Sequence, residues 1–247
     1  MLLRRMFDRK WALATCLVLA GTIVLIRLGI WQLDRLETRR MNNAHYVEMQ
    51  SMPRLDLNLE TAELLTEMEY RAVEVTGMYD LANQVAVRNQ YYEGQPGYHL
   101  LTPLRFNGTA VLIDRGWIPA DVNSTTEDWR RYDESGQIHV EGVIRLGSGK
   151  PVFGGVEDSL PADGSRLDVW NNADVARIAD QLSYPTLPIY IQPETDANDT
   201  IPPIPSTSEF ELTEGPHFGY ALQWFTFAAI LFFGYPFYLR KQDLNNR

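Results

Sequence analysis

The sequence holds a single cysteine, Cys16, among its 247 residues. One thiol excludes an intramolecular disulfide, a Cys-x-x-Cys redox pair, a cysteine-rich zinc site and covalent haem attachment through Cys-x-x-Cys-His. Basic side chains are also scarce, 22 against 32 acidic ones, for a formal net charge of −10. Because a nucleic-acid-binding domain normally presents a basic face to the phosphates, this balance argues against such a partner. The length suits one domain of ordinary size, or one domain with membrane segments.

Known catalytic signatures are missing as well. The sequence contains no Gly-x-Ser-x-Gly nucleophile elbow. Segment 147–151 (Gly-Ser-Gly-Lys-Pro) resembles a phosphate-binding loop only in part, because Pro151 stands where a Ser or Thr hydroxyl would hold magnesium. Carboxylates are numerous enough for a glycosidase pair, but no pair stands out, and a solvated acidic surface is the simpler explanation. We therefore predict that the protein is not an enzyme.

Charge divides the chain into three parts. Residues 1–40 carry eight basic and three acidic side chains, and residues 216–247 carry three and one. The stretch between them, 41–215, carries eleven basic and twenty-eight acidic side chains. Two basic ends around an acidic middle are typical of a chain whose ends and middle lie on different sides of a membrane.

Each basic end contains a long apolar run. The first, 11–26, has no charged residue and continues past one arginine to Trp31, and the second, 218–239, has no charged residue at all. A helix needs about 20 mostly apolar residues to cross the hydrocarbon core of a bilayer. We predict two transmembrane helices, at 11–31 and 217–239. A cleaved signal peptide is the alternative for the first run, but no Ala-x-Ala-like cleavage site follows it.

The basic residues at the outer ends of both runs predict the orientation. Because cytoplasmic segments carry an excess of Lys and Arg, tails 1–10 and 240–247 are expected in the cytoplasm and residues 32–216 outside it. Four arginines on the other side of the first run oppose this orientation: Arg27, Arg35, Arg39 and Arg40. Long domains cross the membrane with little regard to charge, however. We predict a multi-pass protein of the plasma (inner) membrane, with both termini cytoplasmic and the central domain periplasmic.

The exported middle has the pattern of a β-rich domain. Short apolar segments are separated by Gly, Pro, Asn and Asp, as strands are by turns. Strands are predicted at 71–76, 85–88, 98–104, 110–114, 138–145 and 187–192. Helices are predicted at 54–69 and 174–182, and an extended tether at 195–208. The fold class that follows is α+β, a mainly antiparallel β barrel or sandwich between two transmembrane helices.

Four short motifs follow one another along the chain. They are 29–35 (Gly-Ile-Trp-Gln-Leu-x-Arg), 96–104 (Pro-Gly-Tyr-His-Leu-Leu-Thr-Pro-Leu), 114–119 (Asp-Arg-Gly-Trp-Ile-Pro) and 217–225 (His-Phe-Gly-Tyr-Ala-Leu-Gln-Trp-Phe). This set, in this order and with two predicted membrane helices, resembles the Surfeit locus protein (Surf-one / Shy-one) family of cytochrome c oxidase assembly factors. The resemblance covers nearly the whole chain.

The resemblance implies a non-enzymatic role in the maturation of oxidase subunit I, together with other assembly factors, when haem a is delivered or inserted. In that family the histidine that opens the second membrane helix is the haem ligand, and it corresponds to His217. Noncovalently bound haem a is therefore the expected cofactor, with its iron on this imidazole. Two other functions stay open from the residues alone, a membrane-anchored exported hydrolase and a purely structural anchor that binds partners.

The predicted topology adds a physical interpretation of the membrane residues. With the first span running outward and the second inward, Arg27 and Trp31 lie at the same outer interface as His217. Arg27 or Arg35 is then expected to neutralise a haem propionate. The alternatives are that Arg27 only reaches the headgroups and that His217 caps its helix. Small residues that would let the spans pack closely are Gly21, Gly29, Ala221 and Ala228.

A second possible metal site lies just after the first span. Met41, His45 and Met49 are four residues apart, so they share one face of a helix that continues from that span. Thioether and imidazole groups suit Cu(I), a metal that the oxidase needs. The alternative is a stripe of soft side chains that packs against the protein.

Overall fold

The computed structural model describes residues 6–59, 64–123, 125–147, 157–161, 164–194, 200–206 and 210–245. The chain forms two compact units, Tyr46–Phe210 and a terminal unit made of Met1–His45 with Glu211–Arg247. Within the described residues the structure has the α-helices α1 (Ala12–Ser51), α2 (Val175–Ala179) and α3 (His217–Asn245). Of these, α2 belongs to the central unit and α3 to the terminal unit.

The terminal unit is a pair of apolar helices. Ala12–Ser51 and His217–Gln242 are both long and apolar enough to cross a membrane. Large side chains such as Leu13, Ile23 and Phe233 are more than 60% exposed. Exposing such side chains to water is unfavourable, whereas a lipid chain is as apolar as they are. The chain is therefore a membrane protein, and both predicted spans are helical, with α1 continuing unbroken from Trp31 to Ser51.

A seam of buried residues joins α1 to α3. Residues seven apart are buried on each helix: Thr15, Thr22, Gly29 and Leu36 on α1, and Ala221, Ala228 and Tyr235 on α3. A seven-residue repeat of inward positions is typical of helices that pack side by side with a left-handed twist. A Cβ atom on Gly29 would lie 2.6 Å from the Phe225 ring, so only glycine permits this approach. The close packing that the small residues predicted is confirmed.

Hydroxyl groups connect the two helices near the start of α1 and the end of α3. The Thr15 hydroxyl donates to the Met6 carbonyl at 2.7 Å and lies 2.8 Å from the Tyr235 hydroxyl, which is therefore the donor in that second bond. Thr15 is fully buried and Tyr235 is 8% exposed. Polar side chains that pair between helices are the usual way to hold them together in lipid.

The central unit is built on eight strands that form one sheet. They are β1 (Leu55–Asp56), β2 (Ala72–Tyr79), β3 (Val85–Tyr92), β4 (Gln95–Phe106), β5 (Thr109–Pro119), β6 (Ile138–Arg145), β7 (Val169–Trp170) and β8 (Thr186–Pro193). Five of them close into a barrel in the order β2-β6-β8-β5-β4, and β2 pairs again with β4. Only the β5–β8 contact in that ring is parallel. The prediction of a mainly antiparallel β domain is confirmed, and the structure decides for the barrel.

Burial along the strands shows where the core lies. In β2 the buried residues Val73 and Val75 alternate with half-buried ones, as in a strand with one face inward. By contrast, β5 is buried without interruption from Ala110 to Ile118, because both of its faces are covered. One face points into the barrel, and the other packs against α2 and the side chain of Trp170.

The six predicted strands are all present, and most run further than their patterns indicated. Two strands were not predicted, β1 and β7, each only two residues long. The predicted helix at 174–182 is confirmed as α2. Its first turn is capped by Asp174, whose carboxylate accepts a hydrogen bond from the Arg177 N–H at 3.2 Å.

The prediction of a helix at 54–69 is wrong for the residues that the structure describes there. Leu55 and Leu57 are buried, 1% and 6% exposed, and Leu55 pairs with Val73 in the β1–β2 ladder. Apolar residues at every second position have the period of a strand, and this pattern outweighs the acidic residues between them. A short 3₁₀ turn, Leu65–Glu67, follows, while residues 60–63 lie outside the described part of the chain.

The predicted tether at 195–208 is described only over 200–206. Its Ile204 is not loose but forms an antiparallel bridge with Trp117, through backbone hydrogen bonds in both directions. Ile204 is 6% exposed. This part of the predicted tether is therefore packed on the barrel.

Candidate functional site

His217 is the first residue of α3, and its imidazole contacts α1. The Nδ1 atom lies 2.9 Å from Oε1 of Gln32, and the ring is half-buried. Because an amide oxygen only accepts, Nδ1 is the donor in this hydrogen bond, and in the neutral ring Nε2 then keeps its lone pair. A histidine that ligates a metal through one nitrogen commonly donates from the other to a fixed acceptor. This pair of residues is therefore prepared to hold a metal-bearing group at Nε2.

Gly215 lies beside the Nε2 edge of this imidazole and carries no side chain. Its φ is +66°, a conformation that glycine adopts without strain. A Cβ atom at this position would lie 3.4 Å from Cδ2 and 3.6 Å from Nε2 of His217. A Cβ atom there would therefore contact the Nε2 side of the ring, away from the Nδ1 atom that is hydrogen-bonded to Gln32. The sequence pattern did not single out Gly215, because one glycine before a helix is common.

The segment that leads into α3 is attached to α1 by hydrogen bonds from two polar side chains. Arg39 donates to the carbonyls of Thr213 and Glu211, both at 3.0 Å, and Asn43 donates to the same Thr213 carbonyl at 3.2 Å. Backbone carbonyls on one segment and fixed donors on the other hold His217 at a defined height along the pair. The position of the imidazole therefore depends on α1 as much as on α3.

Arg40 adds an ion pair to the same attachment. Its Nε and one terminal nitrogen bind the two carboxylate oxygens of Glu214 at 2.8 and 3.0 Å, the two-point geometry that suits guanidinium and carboxylate. The hydrogen bond from Arg40 holds the pKa of the Glu214 carboxyl below its ordinary value. Arg39 and Arg40 oppose the predicted orientation by their charge. In the structure both attach the segment before α3 to α1.

The two predicted propionate partners lie on α1 near Gln32. At about 100° per residue, Arg35 is about 60° around the helix from Gln32 and Arg27 about 140°. The Arg35 guanidinium carbon lies 5.7 Å from the centre of the Trp31 ring. Both arginines are exposed. The structure thus places Arg35 on the side of Gln32 and His217 and Arg27 away from it, and a propionate contact by either residue stays a prediction.

The third predicted group, the Met41, His45 and Met49 stripe, lies on α1 as expected. All three residues belong to one unbroken helix. Met41 is 58% exposed and Met49 is 6% exposed, so one sulfur faces the surroundings and the other is packed. Copper binding by this stripe stays a prediction.

The two central motifs meet on paired strands of the barrel. His99, on β4, lies opposite Trp117, on β5. Nδ1 of His99 is 2.9 Å from Oδ2 of Asp114. A Cβ atom on Gly97 would collide with the Trp117 indole and the neighbouring backbone, so these two residues require each other. The motifs are therefore explained largely by packing.

A small cavity of about 180 Å³ opens beside the His99–Asp114 pair. Arg145, Tyr190 and Gln192 also line it. Burial, and next the Asp114 charge, raises the pKa of the Tyr190 hydroxyl above its ordinary value. The cavity was not predicted, because most of its lining residues come from five strands, β3, β4, β5, β6 and β8, that only the folded sheet brings together.

Glu74, His139 and Glu141 form a further group with metal-binding side chains, on the outside of β2 and β6. Arg54 already binds Glu141, with 2.6 Å between guanidinium nitrogen and carboxylate oxygen. His139 is exposed and its Nδ1 lies 2.9 Å from the Thr76 hydroxyl. The guanidinium supplies the positive charge that these carboxylates need, so we assign no metal to them.

Comparison with known proteins agrees with the sequence resemblance. The model of the SURF1 family matches residues 19–229 of the chain. The SURF1-like protein of Rickettsia felis is 26% identical over 234 residues, which cover 91% of this chain and 96% of that protein. The SURF1-like protein of Caenorhabditis elegans is 25% identical, over 90% and 72% of the two chains. Surfeit locus protein 1 of Gallus gallus is 24% identical, over 95% and 77%.

Proposed function

The chain belongs to the SURF1 family, and on that premise we propose that it is a non-catalytic assembly factor of cytochrome c oxidase, which holds haem a through His217 for delivery to subunit I. The geometry of this histidine carries the proposal. Its Nδ1 is hydrogen-bonded to Gln32 at 2.9 Å, and Gly215 places no side chain beside the Nε2 edge. Imidazole in this protonation state is a common axial ligand of haem iron.

The surroundings of His217 suit a porphyrin. The helix pair supplies an apolar environment below the ring, and arginines lie at the same end of the pair. Of the two arginines, we propose Arg35 as the first partner of a propionate, because it lies on the same side of α1 as Gln32. Arg27 is the second, through its long flexible side chain. The bound group supplies the iron and its redox chemistry, while the residues of this chain only bind and orient it.

Placement in the membrane follows from the charge of the two ends. We propose that both termini lie in the cytoplasm and that the barrel lies in the periplasm, with His217 at the outer interface of the plasma (inner) membrane. Subunit I and other assembly factors are then the partners, because subunit I is where haem a must arrive. Co-purification of oxidase subunits with the tagged protein, and lowered oxidase haem a content after deletion of the gene, are the expected results.

The direct experiment is the absorbance spectrum of the full chain. Protein purified in detergent from cells that make haem a should show a Soret band, and His217→Ala should abolish or shift it, because the axial nitrogen is lost. Arg35→Gln should weaken haem binding but leave the band position unchanged, because it changes a charge near the propionate and not the ligand of the iron.

His45→Ala is the matched control, since this histidine lies on α1 in the same unit but has no part in the site. Its spectrum should equal that of the unmodified protein. A band that persists unchanged in His217→Ala, or disappears equally in His45→Ala, would contradict the assignment of the ligand. A protein that binds no haem at all, while deletion of its gene leaves the oxidase intact, would refute the proposed function.

A further inference from the structure

An apolar groove runs along one side of the α1–α3 pair. It is lined by four side chains of α1 between Leu19 and Ile26 and by five of α3 between Phe225 and Phe233. Its volume is about 480 Å³. The groove lies wholly within the terminal unit. We call it the tail groove.

The tail groove offers no free polar group to a ligand. Thr22 carries the one hydroxyl among its lining residues, and that hydroxyl donates to the Val18 carbonyl of its own helix at 2.8 Å. On α3 the lining consists of three phenylalanines and two alanines. A ligand for this surface must be a hydrocarbon, and one whose shape fits between rings.

A ridge of side chains runs along α3 from His217 to the tail groove. Residues four apart form a continuous ridge on a helix. From His217 this ridge passes through Ala221, Phe225, Ala229 and Phe233, and the last three line the groove. At 1.5 Å per residue, the groove starts about 12 Å from His217 along the axis and ends about 24 Å from it. A hydrocarbon chain attached to a group on this imidazole can therefore enter it.

We propose that the tail groove binds the farnesyl tail of haem a, an inference that rests on the proposed haem site at His217. The farnesyl group is joined through a hydroxyethyl unit to the edge of the porphyrin, several bonds from the iron, and everything beyond the hydroxyl-bearing carbon is hydrocarbon. The groove starts about 12 Å along the axis from His217 and runs about 12 Å further, within the reach of such a chain on a haem held there. This gives the protein a means to prefer haems with a tail over haem b.

Lipid chains compete for the same surface, because hydrocarbon in the bilayer is as apolar as the tail. The tail has the advantage that its porphyrin is already held by the imidazole. Its binding to the groove is then intramolecular, at a high effective concentration that no free lipid reaches. The preference must come from this tethering and from packing against the rings, so we expect it to be moderate in size.

The test uses haem o and haem b, because these two differ only by the hydroxyethylfarnesyl group. The full chain in lipid nanodiscs is titrated with each haem and followed by the Soret band. Ala229→Trp fills the tail groove, and it should weaken binding of haem o about tenfold, the equivalent of about two buried CH₂ groups. Binding of haem b should not change.

Ala20→Trp is the matched control. Ala20 is exposed on α1, about 160° around the helix from Thr22, and it does not line the groove. This variant should bind both haems as the unmodified protein does. Substitution at the two alanines adds the same side chain, so a difference between them reports the groove and not the added indole.

The outcomes separate this inference from the proposed function. If the unmodified protein binds haem o and haem b equally, or if Ala229→Trp weakens both to the same degree, the tail groove does not hold the tail, while the haem site stands. A tenfold loss in Ala20→Trp as well would also overturn the inference. If neither haem binds to the unmodified protein, the proposed function fails, and the inference fails with it.

Discussion

Arg115 brings a guanidinium group into the interior of the central unit, where its side chain is 2% exposed. It donates to Gln84 at 3.0 Å, to Glu134 at 2.7 Å and to the carbonyl of Tyr132. Its carbon also lies 5.1 Å from the ring centre of Tyr79. Burial raises the pKa of the Tyr79 hydroxyl to about 12, so that ring stays neutral beside the arginine. The second residue of motif 114–119 is thus a structural ion within the barrel.

Arg115→Met should destabilise the central unit by about 3 kcal/mol, because it leaves the half-buried Tyr132 carbonyl without its donor and the buried Gln84 amide oxygen with one donor, Thr102, in place of two. The melting temperature of the full chain in detergent, followed by tryptophan fluorescence, should fall by about 6–12 °C. Arg105→Met is the control. Arg105 is exposed and lies over the Tyr184 ring at 4.8 Å, so its loss should cost less than about 1 kcal/mol. Equal losses in the two variants would show that Arg115 contributes no more than a surface charge.

At the scale of elements, the contact between α1 and α3 decides whether His217 and Gln32 meet. The contact depends on Gly29, which leaves room for the Phe225 ring, and on the buried alanines of α3. Lipid supplies no hydrophobic force between two apolar helices, so close packing and a few hydrogen bonds hold them together. A change of one seam residue should therefore alter the position of His217 relative to Gln32.

Gly29→Leu should push the two helices apart by about 1–2 Å, since the separation of packed helices follows the size of the side chains between them. Spin labels on cysteines that replace the exposed Leu13 and Phe237, in a Cys16→Ser background, would measure the change by electron paramagnetic resonance. Haem binding should weaken in the same variant.

Gly234→Leu provides the control for this experiment, because a side chain at Gly234 meets nothing within 4 Å. It should leave both the label distance and haem binding unchanged. Adding Phe225→Ala to Gly29→Leu should restore the distance by making room for the new side chain. An unchanged distance in Gly29→Leu, or no rescue by the second change, would rule out this glycine as the point of contact.

At the scale of the whole molecule, charge is distributed so that the ends and the middle differ. The middle, 41–215, has twenty-eight acidic against eleven basic side chains, and both ends are basic. The two helices that join these parts are the ones that could cross a membrane. A hairpin of two spans with one exported domain agrees with both observations.

Protease added to spheroplasts should therefore digest the central unit and spare epitope tags on both termini. In permeabilised cells the tags should be lost as well, which shows that they can be cleaved. A central unit that survives in spheroplasts and is cut only after permeabilisation would place the barrel in the cytoplasm and reverse the proposed topology.

Much of the molecule was determined by the sequence alone. The two spans follow from uncharged runs long enough for a bilayer, and the strands at 71–76 and 138–145 from their alternation and turn residues. Such patterns are visible because the residues of a span all face an apolar environment, whereas those of a strand alternate between the core and the solvent. The helix predicted at 54–69 is not formed by the described residues there, because leucines at alternate positions have the period of a strand.

Only the tertiary structure decided the closure of the barrel and the surroundings of His217. Closure of the barrel rests on two residue pairs between β2 and β4. The strands β1 and β7 have only two residues each, too few to show a period in the sequence. Gln32 is 185 residues away from its partner His217 in the chain. A local pattern records which solvent a segment faces, whereas a contact between distant residues depends on how two helices rotate and pack, and that is determined only when the chain has folded.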